Sequence, residues 1–249
     1  MANDGPGPGT GHGEGRRGVL DDLGPFFVVS THQPGMRPRP PWESLRTLTE
    51  PGGPLSGRID ATRAALASRA GRPAEEIELR VAASVTHLGL VARLIAPPMA
   101  AAATGHRLGI EPGEIWWQDT LGGPVPLSVA APPRVVAADG PLEAQTLLDE
   151  VIAPLTAQTR RLIDVSSQVL WGNVASAING AAAQVATRRP DLSRASWATA
   201  TALFASPHLG RERQSPGPAF RRSNCCLIYR ISACDARAIC GDCILDRTS

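Results

Sequence analysis

Lysine is missing from this chain: all 25 basic residues are arginine. Heavy Ala, Gly and Pro usage accompanies it, and GC-rich coding accounts for both. Aromatic residues are scarce, at 4%. Charge of one sign is scarce too. The net charge of +2 gives no electrostatic argument for nucleic acid as a partner, and no helix-turn-helix with a basic recognition face is visible. No apolar run follows Arg16 and Arg17 at the length of a secretory leader. The longest apolar stretch, Leu88 to Gly105, is interrupted by Arg93 and by Pro97-Pro98, which predicts that it does not span a bilayer as a helix. The glycine clusters near the start neither follow a strand nor open a helix, so no nicotinamide or flavin fingerprint is present. No Ser/His/Asp or paired-carboxylate constellation stands out. The five histidines, among them His12, His32, His87, His106 and His208, form no metal-ligand pair by spacing.

The most informative absence is cysteine, which does not occur in the first 224 residues. All five cysteines then follow: Cys225, Cys226, Cys234, Cys240 and Cys243. Thiols crowded in this way act together, on a metal, a cluster or a set of disulfides. An odd count and the missing leader argue against a disulfide framework and for a reducing, cytoplasmic setting. Cys240-Gly-Asp-Cys243 lets one turn offer two thiolates to a metal, a spacing shared by zinc, iron–sulfur and redox sites. No βαβ pattern surrounds it, which disfavours a thioredoxin-like pair. Adjacent side chains such as Cys225-Cys226 bite a single tetrahedral ion awkwardly and suit a wider object. Iron–sulfur is the reading favoured by this chemistry, with zinc left open.

Hydrophobic content of 43% over 249 residues is enough for one or two folded domains. Residues 1–55 are Gly- and Pro-rich and read as a flexible, loop-rich segment. From Ser56 the pattern is helical, with Ile59, Leu66 and Ala70 on one face and Arg58 and Arg69 off it. Gly71 and Pro73 break the run, and Pro73 opens a second helix whose inner face is Ile77, Val81, Val85, Leu88 and Val91-Ala92, ending near Pro97. Ile115-Trp116-Trp117 and Val125 to Val129 read as two arms of a hairpin, with Pro126 marking an edge strand. Helical runs return over 142–162, split at Pro154, then over 165–187 and 192–204. Residues 207–218 read as a linker to the cysteine module, 219–249. The fold class expected is mainly α (α+β): a helical body over 56–210, a small β element in its middle, and a compact C-terminal module.

The C-terminal run resembles that of the FhuF-type ferric siderophore reductases, whose motif is C-C-x10-C-x2-C. Arg221-Arg222 before the pair, Leu227 to Arg230 after it and Gly241-Asp242 agree with that pattern. So do Arg80-Val-Ala-Ala-Ser-Val-Thr-His-Leu-Gly-Leu90, Trp116-Trp117, Gly122-Gly-Pro-Val-Pro-Leu127 and Leu170-Trp-Gly-Asn-Val-Ala-Ser-Ala177, which resemble actinobacterial members. The resemblance covers roughly residues 56 to 249. It implies a 2Fe-2S cluster held by Cys225, Cys226, Cys240 and Cys243. It implies reduction of ferric iron in a siderophore of hydroxamate type, with electrons from a ferredoxin-type carrier or flavin reductase. Thirteen residues separate Cys226 from Cys240 where the family pattern has ten. A loop between anchored halves absorbs three more residues at little entropic cost, and Cys234 is then a spare within the insertion, or a substitute for one of the vicinal pair. Arg221, Arg222 and Arg230 would favour a reduced, more anionic cluster. The bland alternative leaves them solvated or paired with Asp235, Asp242 and Asp246. His87 reads as a core histidine and Asn173 as a buried, hydrogen-bonded amide. Trp116 and Trp117 straddle the two faces of their strand. The competing function is a non-enzymatic siderophore- or partner-binding helical protein whose cysteines hold a structural zinc or sense redox state. Peripheral membrane contact stays open.

Overall fold

The computed structural model describes residues 21–105, 108, 111–130, 142–211, 215–231 and 240–245. It is mainly helical with one small mixed sheet, as the sequence pattern predicts. Helix α1 spans Leu55–Ala70 and α2 spans Leu79–Ala103. Helix α3 covers Leu142–Leu147, α4 Ala153–Leu162, α5 Ser167–Arg188 and α6 Ser193–Phe204.

Helix α1 stops at Gly71, which adopts φ 62° and turns its N–H back onto the carbonyls of Ala67 and Ser68. Pro73 then opens only a short 3-10 turn, Ala74–Glu76. The next helix starts later than the proline suggests because Arg63 of α1 takes the carbonyls of Ile77 (2.6 Å) and Glu75 (3.0 Å). Helix α2 also ends later than expected, running through Pro97 and Pro98 to Ala103. Two prolines remove two helical N–H donors. Burial of Leu94, Ile95, Met99 and Ala100 around them outweighs that loss. By length and composition α2 could cross a membrane, but its apolar surface is largely covered by the rest of the protein.

Helix α5 packs along α2. Its inner face is built from Val174, Ala175, Ile178, Ala181, Ala182 and Val185, all buried, and the small side chains let the backbones approach closely. Asn173 meets Ser84, while Ser176 to Gln184 share a cavity wall with Leu88 to Ala96. Residue numbers rise together on both helices, so α2 and α5 run in the same direction. Helix α6 closes the far side of α5, with Ser196 Oγ donating to the Ala182 carbonyl at 3.1 Å. Between α3 and α4 the chain makes one π turn, Leu148–Ile152, before Pro154 in the first turn of α4. The sequence places the split at Pro154, and the wider turn removes the need for the N–H that Pro154 lacks.

The sheet has the order β1-β4-β3-β2, with β1 at Ser30–His32, β2 at Glu43–Ser44, β3 at Trp116–Trp117 and β4 at Leu127–Ala130. The expected hairpin is present: Trp116 faces Ser128 and Trp117 faces Leu127 in antiparallel register. Its second arm is not an edge, however. Strand β4 also pairs in parallel with β1, Ser30 to Ser128. Pro126 is tolerated because the strand begins one residue later, and its carbonyl still accepts from Gln118 N–H at 3.3 Å. The loop-rich segment 21–54 thus contributes two strands, and Leu23, Phe27, Leu45 and Leu48 enter the main core. Arg93 of α2 binds the sheet side to the helices. Its guanidinium is buried and donates to the carbonyls of Val125 (2.7 Å), Phe26 (2.8 Å) and Val28. Arg58, expected off the inner face of α1, is also buried, pairing with Asp119 and lying over the Trp117 ring.

Candidate metal centre

The cysteine module sits at the C-terminal end of α1, the N-terminal half of α2 and the start of α5. Three contacts dock it. Leu227, Ile228 and Ile231 pack with Ala67, Ile77 and Val81 in a second, smaller apolar cluster. Arg72 Nη1 donates to the Ile231 carbonyl at 3.0 Å, and Arg230 pairs with Glu78 at 2.8 Å. At the centre, Ser84 Oγ of α2 donates to the Cys226 carbonyl at 2.8 Å. The segment 207–218 is no free tether where it is described. Leu209 is buried, and Gly217 N–H donates to Asn179 Oδ1 of α5 at 2.8 Å.

Cys225, Cys226, Cys240 and Cys243 are free thiols, and the vicinal pair meets the C-x2-C pair at Cys226 and Cys240. Cys226 and Cys243 are buried, while Cys225 and Cys240 are partly open. The Sγ atoms of Cys226 and Cys240 lie 3.5 Å apart. Two thiolates on one tetrahedral metal, each about 2.3 Å from it, would stand at nearly this separation. The two halves share a device. Leu227 N–H donates to Cys225 Sγ at 3.4 Å, and Leu245 N–H donates to Cys243 Sγ at 3.3 Å, each from two residues downstream. Cys243 N–H closes the second turn onto the Cys240 carbonyl at 3.1 Å. The first turn requires Leu227 at φ 72°, a left-handed conformation that costs a non-glycine residue about 1–2 kcal/mol.

Cys226 and Cys240 share one proton. The hydrogen bond from the Cys240 thiol, helped by the Ile228 N–H and the Arg222 charge, lowers Cys226 to about 6 against its burial. That same hydrogen bond, with burial, raises Cys240. Burial also raises Cys225, and the charges of Cys226 and Cys243 add to this. A cation binding here displaces the shared proton. Among the described residues, no group of three or more His, Cys, Asp or Glu side chains is disposed to hold a single metal ion. One close sulfur pair with two flanking sulfurs, N–H···S bonds on both halves and a guanidinium beside them form a donor set suited to an iron–sulfur centre. Cys234, Asp235 and Asp246 lie outside the described residues, as do His12 and His106.

Arg222 is fully buried and, among the described residues, pairs with no aspartate side chain. Its Nε donates to the Asn224 carbonyl at 2.6 Å and its Nη2 to Asn173 Oδ1 at 2.6 Å. Asn173 Nδ2 in turn donates to the carbonyl and hydroxyl of Ser84, at 3.0 and 3.1 Å. The chain Arg222–Asn173–Ser84–Cys226 is one continuous buried network. Asn173 is buried and bonded as expected. Ser84 was not legible as a site residue, although it is a lone hydroxyl in a helix face that is otherwise apolar. Two of the four body segments that carry the resemblance beyond the cysteines, 80–90 and 170–177, meet here. Among the described residues, Arg230 pairs with Glu78.

Other residues take structural places. His87 is buried, its Nε2 3.0 Å from Thr156 Oγ1. Because Thr156 donates its own proton to the Ile152 carbonyl at 2.8 Å, the imidazole N–H is on Nε2. Trp117 is buried and Trp116 half-buried, as the strand period demands. His32 Nδ1 lies 2.9 Å from Ser128 Oγ, and His208 stacks on Trp171 at 4.5 Å. A cavity of about 260 Å³ opens between residues 23–27 and the α2/α5 pair, starting one turn beyond Ser84 and Asn173. It falls below the roughly 300–1,000 Å³ of pockets for drug-sized ligands.

Comparison of the chain with family models, curated proteins and solved structures returned no match.

Proposed function

We propose that this protein is a cytoplasmic iron–sulfur reductase that releases iron from ferric siderophores, with Cys225, Cys226, Cys240 and Cys243 holding a 2Fe-2S cluster. The observation that supports the reading is the approach of the vicinal pair to the C-x2-C pair, with the Sγ atoms of Cys226 and Cys240 3.5 Å apart. Two backbone N–H groups are aimed at the outer sulfurs, and a buried arginine stands beside the set. The substrate class comes from the resemblance of the cysteine motif to the ferric siderophore reductases.

Bound there, the cluster would supply single electrons, passed from an external donor protein to ferric iron. Siderophore oxygens are hard anions that favour Fe(III). One added electron enlarges the ion, lowers its charge and collapses its affinity for them. No proton transfer or nucleophile is demanded of the protein. Its tasks are to hold four thiolates and keep water from Cys226 and Cys243. It must also leave the Cys225 and Cys240 edge accessible to a substrate too large for the cavity beside α2 and α5.

Anaerobic purification followed by iron, zinc and acid-labile sulfide analysis tests the reading. Two irons and two sulfides per chain are expected, with visible bands that bleach on reduction, followed by ferrous release from a ferric hydroxamate given a ferredoxin or flavin reductase. Stoichiometric zinc with no sulfide after reconstitution would sink it.

A further inference from the structure

Arg222 has a feature the network does not explain. Its Nε and Nη2 bonds fix the plane of the guanidinium, and therefore the aim of Nη1. Nη1 is buried and has no hydrogen-bond partner among the described residues. A cationic donor left unpartnered in an interior is costly and rare. No carboxylate side chain of the described residues forms an ion pair with it. The network places it beside the cysteines: its Nε is held by the carbonyl of Asn224, next to Cys225, and Asn173, which holds its Nη2, also holds Ser84, whose hydroxyl donates to the Cys226 carbonyl. Its backbone N–H is also tied to the module, donating to the Asp242 carbonyl at 3.1 Å.

We propose that Arg222 is a positioning residue for the iron–sulfur centre, its Nη1 donating a directed hydrogen bond to a sulfur of the bound cluster and raising its reduction potential. The inference rests on the iron–sulfur reading of the same site. A reduced cluster is one unit more negative than an oxidised one, so a fixed positive donor binds the reduced form more tightly. Asn173 holds the fork in place from α5, and Ser84 holds Asn173 from α2. The aim of Nη1 is therefore set jointly by the helical body, through Asn173, and by the Asn224 carbonyl beside Cys225.

Two measurements test this. R222Q and R222K are purified anaerobically, their iron and sulfide determined, and their midpoints titrated by visible absorbance. In R222Q the ratio of reduced to oxidised cluster at fixed ambient potential should fall at least tenfold, a drop of about 59 mV for one electron. R222K keeps the charge without the fork and should fall less. Because R222Q also breaks structural bonds, the second measurement uses the wild-type chain with ¹⁵N in the arginine guanidino groups only. Pulsed EPR of the reduced cluster should then show a nitrogen coupling that changes from ¹⁴N to ¹⁵N character. A loaded R222Q with unchanged midpoint, or a coupling indifferent to the label, overturns the inference and leaves the iron–sulfur reading intact. Absence of iron and sulfide from the wild type overturns both.

Discussion

Ser84 shows how much a single hydroxyl carries in this molecule. It donates to the Cys226 carbonyl while its own carbonyl and oxygen accept from Asn173. Ser84→Ala leaves that buried Cys226 carbonyl without a partner, at a cost of about 1–3 kcal/mol. Calorimetry should register a lower Tm, and metal analysis a reduced iron content, whereas an exposed serine would move neither. His87 makes a different prediction. Burial lowers its pKa to about 3, below the 6.5 of the unfolded chain. Between those values the unfolded state binds more protons, so stability must fall as pH falls from about 6.5 towards 3, by at most about 1.4 kcal/mol per unit. Urea unfolding at pH 7 and pH 5 should show this loss in the wild type and a shallower slope in His87→Gln. Only one of the two is legible in the sequence. His87 lies among apolar neighbours in the helical pattern, which marks it as core. Ser84 lies in the same pattern, but its partner is a carbonyl 142 residues away, and a carbonyl leaves no trace in the sequence.

At the scale of elements, the hydrophobic period located α1, α5 and α6 because their inner faces are contiguous and local. It failed where an arginine answers for distant backbone. Arg93 looks like a break in an apolar run, yet its three acceptors lie in loops at residues 26, 28 and 125. Arg58 looks like an exposed charge, yet Asp119 and Thr120 receive it from another turn. Pro97 and Pro98 read as a stop for the same reason: burial on several sides of α2 is decided by elements far away in sequence. Arg93→Leu should therefore cost about 3–5 kcal/mol, since three buried carbonyls lose their donor at once. Denaturant unfolding would measure it. Hydrogen exchange should locate the loosening in the β4 region and residues 26–28, with the α5–α6 packing unchanged.

For the whole molecule, the cysteine module meets the helical body through a small apolar cluster apart from the main core and a few polar bonds, with only Phe220 at its start entering that core among the described residues. Removing the metal should therefore leave the helical body folded. Far-UV circular dichroism of the chelated protein should retain its helical signal, while limited proteolysis should cut more readily within 219–249. If the helices were lost together with the metal, the body would depend on the module and this division would be wrong. The joint itself was not legible in the sequence. The cysteine spacing pointed to one cluster of thiols, but nothing in it pairs Cys226 with residue 84 or Arg222 with residue 173.

The parallel course of α2 and α5 has a consequence for how the protein is made. Ser84 and Asn173 precede the cysteines in chain order, the nearer of them by about fifty residues, which at about 5–20 residues per second is a matter of seconds of synthesis. For that interval the helices can close on each other while the amide and hydroxyl between them still face water. Arrival of Arg222 and the Cys226 carbonyl then seals a seat that already has its shape. On the proposed iron–sulfur reading, delivery of the cluster would in that sense be a docking event on a finished scaffold, timed by the ribosome and not by the folding of the body.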